Sequence, residues 1–271
     1  MKAKTVNPSL SHPVILWDRS AAVSSSHQLI LEEPLSIRIQ GNPYSVVMRT
    51  PGEELAHVAG FCLGEGIVDT PDDIKSLAFC DGEDSNVVTV TLNDSRRLAI
   101  EQIMDRRGFI SQTSCGLCGK ELVDDLFLQI QPLVDEKRVD LNSALACLGD
   151  LSAHQPLRDR TRASHAAVIF SRELQLLSSA EDVGRHNALD KAVGKLFLNR
   201  RLDRAGLLVL SSRISYELVQ KAARARIPII FALSRPTSLA VDLATRLNIT
   251  LVSHTRDAGT IIFCGDNRLI R

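Results

Sequence analysis

The sequence has no excess of either charge and no long apolar run. Its 271 residues carry 32 lysines plus arginines and 32 aspartates plus glutamates, so no overall field draws the chain to nucleic acid or to a membrane surface. No apolar stretch is long enough to span a bilayer, and the N-terminal stretch lacks the basic and then apolar pattern of a secretory signal. These absences predict a cytoplasmic protein with no nucleic-acid or membrane partner, in which local groups must bind any anion.

Cysteines are also few, and they form no dense framework of the kind that stabilises small secreted domains. Four of the six stand singly, at Cys62, Cys80, Cys147 and Cys264. This usage is typical of a reducing compartment. The length of the chain allows a substantial buried core and favours two domains.

The other two cysteines, Cys115 and Cys118, lie in the run Ser-Cys-Gly-Leu-Cys-Gly, directly before a predicted helix. A thiol just ahead of a helix start feels the unpaired N–H groups and the positive end of the helix dipole, and both favour the thiolate. Gly116 and Gly119 relax the backbone and let another molecule approach closely. The motif therefore predicts a reactive dithiol on a pliable loop. Half of a zinc site and a pair of inert thiols remain alternatives, although zinc normally takes four ligands.

Residue patterns divide the chain into four segments. Alternating apolar residues predict a hairpin, a helix and further strands at 74–79, 87–92 and 97–100, whereas the C-terminal part alternates nearly all-apolar strands with helices. Such apolar strands are typical of a parallel-centred sheet covered on both faces. We predict a flexible N-terminal arm over 1–28, a small α+β domain of roll or β-grasp type over 29–113, the dithiol loop with a helical connection over 114–150, and an α/β domain over 151–271.

Hydroxyl and guanidinium side chains follow three predicted strands of the α/β domain. In open α/β sheets ligands bind outside the carboxyl ends of the strands, and such side chains suit phosphates or carboxylates. The pattern predicts an anion site, with plain helix capping as the alternative. The three clusters are Ser211-Ser212-Arg213, Ser234-Arg235-Pro236-Thr237 and Ser253-His254-Thr255-Arg256.

Another dense polar run leads into a predicted helix. Gly184 permits a turn, and Arg185 and His186 then present donors at the first turn of the helix. This arrangement predicts a second anion or substrate contact. The alternative is a capped surface helix on which Asp190 and Lys191 are simply solvated.

Taken together, these motifs resemble the FdhD family, the accessory sulfurtransferases for formate dehydrogenase. The resemblance covers the chain from about Leu29 to its C-terminus. It implies a C-terminal half similar to the cytidine deaminase fold, a smaller N-terminal α+β domain, and a homodimer. The runs that carry it are Ser-Cys-Gly-Leu-Cys-Gly at 114–119, Glu-Asp-Val-Gly-Arg-His-Asn-Ala-Leu-Asp-Lys at 181–191 and Ser-Ser-Arg-Ile-Ser-Tyr-Glu-Leu-Val-Gln-Lys at 211–221, supported by 60–67 and 247–252.

The resemblance implies a sulfur carrier. It would accept sulfur from a cysteine desulfurase as a persulfide on Cys115, with Cys118 as the second motif cysteine. It would pass the sulfur to the bis-molybdopterin guanine dinucleotide cofactor before that cofactor enters the catalytic subunit of formate dehydrogenase. The cofactor is cargo, a GDP-like nucleotide is expected to fit the same site, and no metal of the protein's own is expected.

The family's cofactor-binding stretch falls after the last predicted strand, where this sequence departs from the usual glycine-rich, basic pattern. That stretch is His254, Thr255, Arg256, Asp257, Ala258, Gly259 and Thr260. The strand-end and helix-start groups are expected to add contacts to the cofactor, namely Ser211, Ser212, Arg213, Arg235, Gly184, Arg185 and His186.

Two other functions remain open. A zinc-dependent hydrolase of the deaminase type needs His or Cys ligands and a glutamate for proton transfer. Here His186 has no glutamate two positions on, and no proline precedes Cys115. The second alternative is a non-catalytic chaperone that only shelters the cofactor.

Overall fold

The computed structural model describes residues 7–80, 86–107, 130–135, 137–255 and 257–271, with the backbone alone over 101–107. Its strands are β1 (Ser9–Asp18), β2 (Ala21–Ile30), β3 (Glu33–Ile39), β4 (Asn42–Arg49), β5 (Ile74–Phe79), β6 (Val87–Leu92), β7 (Val139–Asp140), β8 (His165–Ser171), β9 (Leu176–Asp182), β10 (Ala205–Leu210), β11 (Ile229–Ala232), β12 (Thr250–Thr255), β13 (Gly259–Cys264) and β14 (Leu269–Ile270). Its α-helices are α1 (Glu54–Gly64), α2 (Asp94–Arg107), α3 (Leu141–Gly149), α4 (Pro156–Thr161), α5 (Arg185–Leu198), α6 (Tyr216–Arg224) and α7 (Ser238–Arg246). The protein is thus of mixed α/β class, as predicted.

A four-stranded mixed sheet, in the order β4-β3-β6-β5, forms the N-terminal part. The alternation of Leu35, Ile37 and Ile39 is confirmed, since all three are fully buried. The strand predicted over 97–100 is wrong, because this segment lies in α2. The helix begins where the Asn93 side chain accepts a hydrogen bond from the backbone N–H of Arg96 at 2.8 Å, which is how an asparagine starts a helix.

The predicted flexible arm is also corrected, because residues 9–30 form a β-hairpin. Strands β1 and β2 pair antiparallel in register from Ser9 and Ile30 to Asp18 and Ala21. Leu10 lies opposite Leu29 on one face of this hairpin, and such cross-strand apolar pairs stabilise a two-stranded ribbon. The three consecutive serines Ser24-Ser25-Ser26 conceal β2, because they interrupt its apolar alternation and resemble a linker.

A six-stranded sheet, in the order β13-β12-β11-β10-β8-β9, forms the C-terminal part. Strands β10, β11 and β12 are parallel, as predicted, and their neighbours on either side are antiparallel. One face packs against α5, α6 and α7. Helix α3, expected to be a connection, instead buries Ala144 and Leu148 under the opposite face, and β7 pairs with β14.

Helices α1 and α5 join the two sheets by a very close crossing. A Cβ added at Gly60 would lie 2.0 Å from the carbonyl oxygen of Asp190, and one added at Gly194 would lie 1.7 Å from that of Ala56. Only glycine lets the two backbones approach so closely. One cluster of buried apolar side chains accordingly runs from the small sheet through both helices into the large sheet.

Candidate functional site

The carboxyl ends of β10, β11 and β12 lie side by side. Leu210, Ala232 and Ser253 are in register across the three strands. Beyond them the connections to α6 and α7 run in parallel, since Ile214 bridges to Pro236. We call this region the strand-end edge: the ends of these strands, the first turns of α5, α6 and α7, and the start of β8. The first two strand-end clusters are therefore brought together.

Several hydroxyls of these clusters are used internally. The Ser211 hydroxyl accepts a hydrogen bond from the backbone N–H of Ala166 at 2.8 Å, and the Ser212 hydroxyl donates to the carbonyl oxygen of Arg213 at 3.0 Å. Thr237 caps α7 by accepting from the N–H of Ala240 at 3.3 Å, as the capping alternative expected. The side chains of Arg213 and Arg235 are exposed. At this edge the arginines, more than the serines, face solvent.

The third cluster extends past the edge as a hairpin. His254 pairs with Thr260, and Thr255 with Gly259, across the turn from β12 to β13. The Nδ1 atom of His254 lies 2.9 Å from the hydroxyl of Thr260. Arg256 lies outside the described residues. Strand β13 was missed in the sequence because polar residues separate its apolar segment from the predicted end of β12.

Ser253 is fully buried, and its hydroxyl has no hydrogen-bond partner among the described residues. A buried hydroxyl without a partner costs free energy. This serine is in register with Ala232, the last residue of β11. Because Ser253 is 0% exposed, its hydroxyl is not accessible to a ligand at the edge.

The polar run at the start of α5 is buried rather than solvated. Asp190 and Lys191 are each only 2% exposed, so the surface-helix alternative is wrong for them. The Nζ atom of Lys191 lies 2.7 Å from Oδ2 of Asp182 and donates to the carbonyl oxygen of Thr50 at 2.7 Å. The side-chain amide of Asn187 donates to Oδ1 of Asp182 at 2.9 Å. The reason is the position of α5 between the large sheet and α1, which leaves these groups no solvent to face.

A second buried pair holds α5 to α6. The Nζ atom of Lys221 lies 2.7 and 2.9 Å from the two carboxylate oxygens of Asp190, and 5.3 Å from the centre of the Phe61 ring. Burial raises the pKa of Asp190 to about 6, although Lys221 opposes the shift. The pair fixes the relative position of two helices whose first turns both lie at the strand-end edge.

At those first turns three side chains form a connected group. The Nε2 atom of His186 lies 3.2 Å from the hydroxyl of Ser215 and 3.8 Å from Oε2 of Glu217. Burial and then Arg185 lower the pKa of His186 to about 4, against the opposing charge of Glu217. Burial tends to raise the pKa of Glu217, but the hydrogen bond from Ser215, a backbone hydrogen bond and the charges of His186 and Arg185 together lower it by more. A neutral imidazole and an ionised carboxylate therefore share one hydroxyl.

A second histidine lies close by. His165 begins β8 opposite Asp182, and burial followed by the charges of Arg158 and Arg185 lowers its pKa. The sequence patterns indicated no function for His165 and did not single out Ser215 or Glu217. Both lie inside the run at 211–221, where α6 begins. They could have been found by treating the start of α6, like that of α5, as a helix start at the strand-end edge.

The described part of the chain contains no group of three or more His, Cys, Asp or Glu side chains placed to hold a metal ion. Cys115 and Cys118, and the helix expected from Glu121, lie outside the described residues. Over those same described residues, no helix combines the length and apolar character needed to cross a membrane.

The fold matches that of a solved accessory protein. A crystal structure of a formate dehydrogenase accessory protein from Desulfotalea psychrophila superposes with a TM-score of 0.77 at 22% identity, over 97% of this chain and 100% of that chain. The chain belongs to the FdhD/NarQ family, whose model matches residues 30–270. It is 39% identical over 260 residues to the sulfur carrier protein FdhD of Streptomyces avermitilis, covering 93% of this chain and 92% of that one. The protein of the same name from Mycolicibacterium paratuberculosis is 37% identical over 257 residues, covering 92% and 94%.

Proposed function

We propose that this protein, a sulfur carrier of formate dehydrogenase maturation, holds sulfur as a persulfide on Cys115 and delivers it to a molybdenum cofactor bound at the strand-end edge. The observation that carries the proposal is the family match over residues 30–270, which contains the whole Cys-x-x-Cys motif. On this proposal the protein acts as a sulfurtransferase. Its donor is a cysteine desulfurase, and the loaded cofactor goes to the catalytic subunit of formate dehydrogenase.

The chemistry follows thiol–disulfide exchange. The thiolate of Cys115 attacks the outer sulfur of the donor's persulfide, the donor's S–S bond breaks, and the donor leaves as a thiolate. Cys115 now carries the persulfide. When the terminal sulfur passes to the cofactor, the S–S bond of the persulfide breaks and Cys115 is released as a thiolate again. The two electrons that reduce this sulfur to sulfide would come from the metal centre of the cargo. Cys118 would resolve or shield the persulfide between these two steps.

The cargo, bis-molybdopterin guanine dinucleotide, is a polyanion, and the strand-end edge offers what phosphates require. Free N–H groups at helix first turns and arginine side chains are the usual partners of phosphate oxygens. Arg185, Arg213 and Arg235 lie at this edge, and we propose them as contacts of the cofactor or of a GDP-like nucleotide. The hairpin over 254–260 would supply the remaining contacts.

The wider context of the proposal is a cytoplasmic homodimer. The mixed sheet with parallel centre supports a deaminase-like arrangement of the C-terminal part, and the small mixed sheet supports a β-grasp-like N-terminal part. The hydrolase alternative would require a zinc ion, and the chaperone alternative would require no persulfide.

Intact-mass measurement after incubation with a cysteine desulfurase and cysteine tests the proposal. Wild-type protein should gain one sulfur, and Cys115→Ala should gain none and fail to mature formate dehydrogenase. Cys118→Ala should show a smaller loss, and Cys264→Ala is the matched control, because this cysteine is partly buried in the sheet. Near-normal maturation by Cys115→Ala would refute the carrier role of that residue. Stoichiometric zinc bound through Cys115 would favour the hydrolase.

A further inference from the structure

The group formed by His186, Ser215 and Glu217 has a defined hydrogen-bond direction. An ionised carboxylate can only accept, so Ser215 donates its hydroxyl proton to Glu217. With its proton on the side of Glu217, the Ser215 oxygen, 3.2 Å from Nε2 of His186, can accept the N–H of the ring. We assign the tautomer on this basis: Nε2 carries the proton, and Nδ1 keeps its lone pair. The second nitrogen of His186 is thus an acceptor in a region otherwise rich in donors.

The charges around His186 come from three elements. Arg185 precedes it on α5, Lys221 and Glu217 face it from α6, and His165 lies near it at the start of β8. The positive end of the α5 dipole adds to the two cations. In this setting only Glu217 favours an imidazolium, so His186 stays neutral as long as no further negative charge arrives.

A phosphate at the strand-end edge would reverse that balance. The phosphate would carry roughly two negative charges close to the half-buried ring of His186. The free ring nitrogen could then gain a proton and donate to a phosphate oxygen. We propose that His186 takes up one proton from solvent when a phosphorylated ligand binds at this edge, with Ser215 orienting the ring and Glu217 balancing the new charge. This inference rests on the proposed use of the edge as the nucleotide end of the cofactor site, and it adds the proton coupling.

The coupling has a calculable size. If the bound phosphate restores the ordinary histidine pKa of about 6.5, the affinity should rise about tenfold between about pH 7.5 and about pH 5.5 through this group. At about pH 6 the complex should take up roughly three-quarters of a proton. The ligand's own phosphate also titrates here, so the quantity to measure is the difference between wild type and a variant that cannot titrate.

His186→Gln is that variant, because its amide can still donate to Ser215 but cannot gain a proton. The experiment is calorimetric titration with GDP, and separately with inorganic pyrophosphate, in two buffers of different ionisation enthalpy at about pH 6. Wild type should take up roughly three-quarters of a proton more than His186→Gln. Glu217→Gln should take up less than wild type. His27→Gln, at an exposed position on the N-terminal hairpin, should match wild type.

Each outcome decides the matter. Equal proton uptake by wild type and His186→Gln would overturn the coupling. Nucleotide binding that is weakened by Arg213→Ala but has the same pH profile in His186→Gln would also overturn it, while the cofactor site would stand. Absence of binding of either probe to wild type would overturn both the edge as a nucleotide site and the coupling. Persulfide loading of Cys115 would then still report separately on the carrier function.

Discussion

The buried pair of Asp190 and Lys221 allows a sharp test of what holds α5 to α6. Asp190 is 2% and Lys221 is 8% exposed, so neither charge can recover solvent if the other is removed. Asp190→Asn keeps the shape and removes the charge. It should therefore lower the free energy of unfolding by about 3–5 kcal/mol, the range for breaking a buried ion pair. That is a large part of the about 5–15 kcal/mol that stabilises a typical domain.

Urea unfolding followed by circular dichroism measures this loss. The double variant Asp190→Leu with Lys221→Met removes both charges, and it should cost much less than the single variant, because no unpaired charge stays buried. The control is Glu173→Gln. Glu173 forms an ion pair with Lys137, the two side chains are 63% and 62% exposed, and this variant should leave stability nearly unchanged because solvent screens the pair. A loss below about 1 kcal/mol in Asp190→Asn, or an equal loss in the double variant, would refute the argument from unpaired charge.

Three further outcomes are expected. Gly194→Ala should lower the free energy of unfolding by about 3 kcal/mol or more, and with it the thermal midpoint, because its Cβ would lie 1.7 Å from a carbonyl oxygen of α1. Gly149→Ala is the control, since the space around Gly149 is open and its midpoint should not fall. Burial, followed by the charge of Lys191, lowers the pKa of His57 in the folded protein. The unfolded chain therefore binds more protons below about pH 6.5, and the free energy of unfolding should fall there. An unchanged pH profile of stability in His57→Gln would contradict this. Arg213→Ala should weaken GDP binding roughly tenfold or more while persulfide loading stays intact, and equal loss of both would indicate misfolding.

Much of the fold could be predicted from local patterns. The buried parallel strands are recognisable in the sequence as apolar runs, and the alternation of apolar and polar residues locates β3. The meeting of the first two strand-end clusters could also be predicted, because consecutive parallel strands end at the same edge. These features depend on neighbours in sequence or on topology that a periodic pattern already implies.

The rest depends on partners distant in the chain. The side chain of Lys191 on α5 donates to the carbonyl oxygen of Thr50 at 2.7 Å, so the burial of this residue depends on a loop more than a hundred positions earlier. No periodicity of α5 itself can show this. The group of His186 and Ser215 likewise needs two helix starts to meet. The hairpin of residues 9–30 was missed for a different reason, since its serines resemble a linker.

The glycine crossing of α1 and α5 has a mechanical consequence. Because the two backbones touch and share one buried core, the small sheet and the large sheet cannot open and close on each other like the jaws of a clamp. On the proposed function, a cofactor arriving at the strand-end edge would meet a preformed surface. Any movement that brings sulfur and metal together would then have to come from the proposed carrier cysteine and from the cargo.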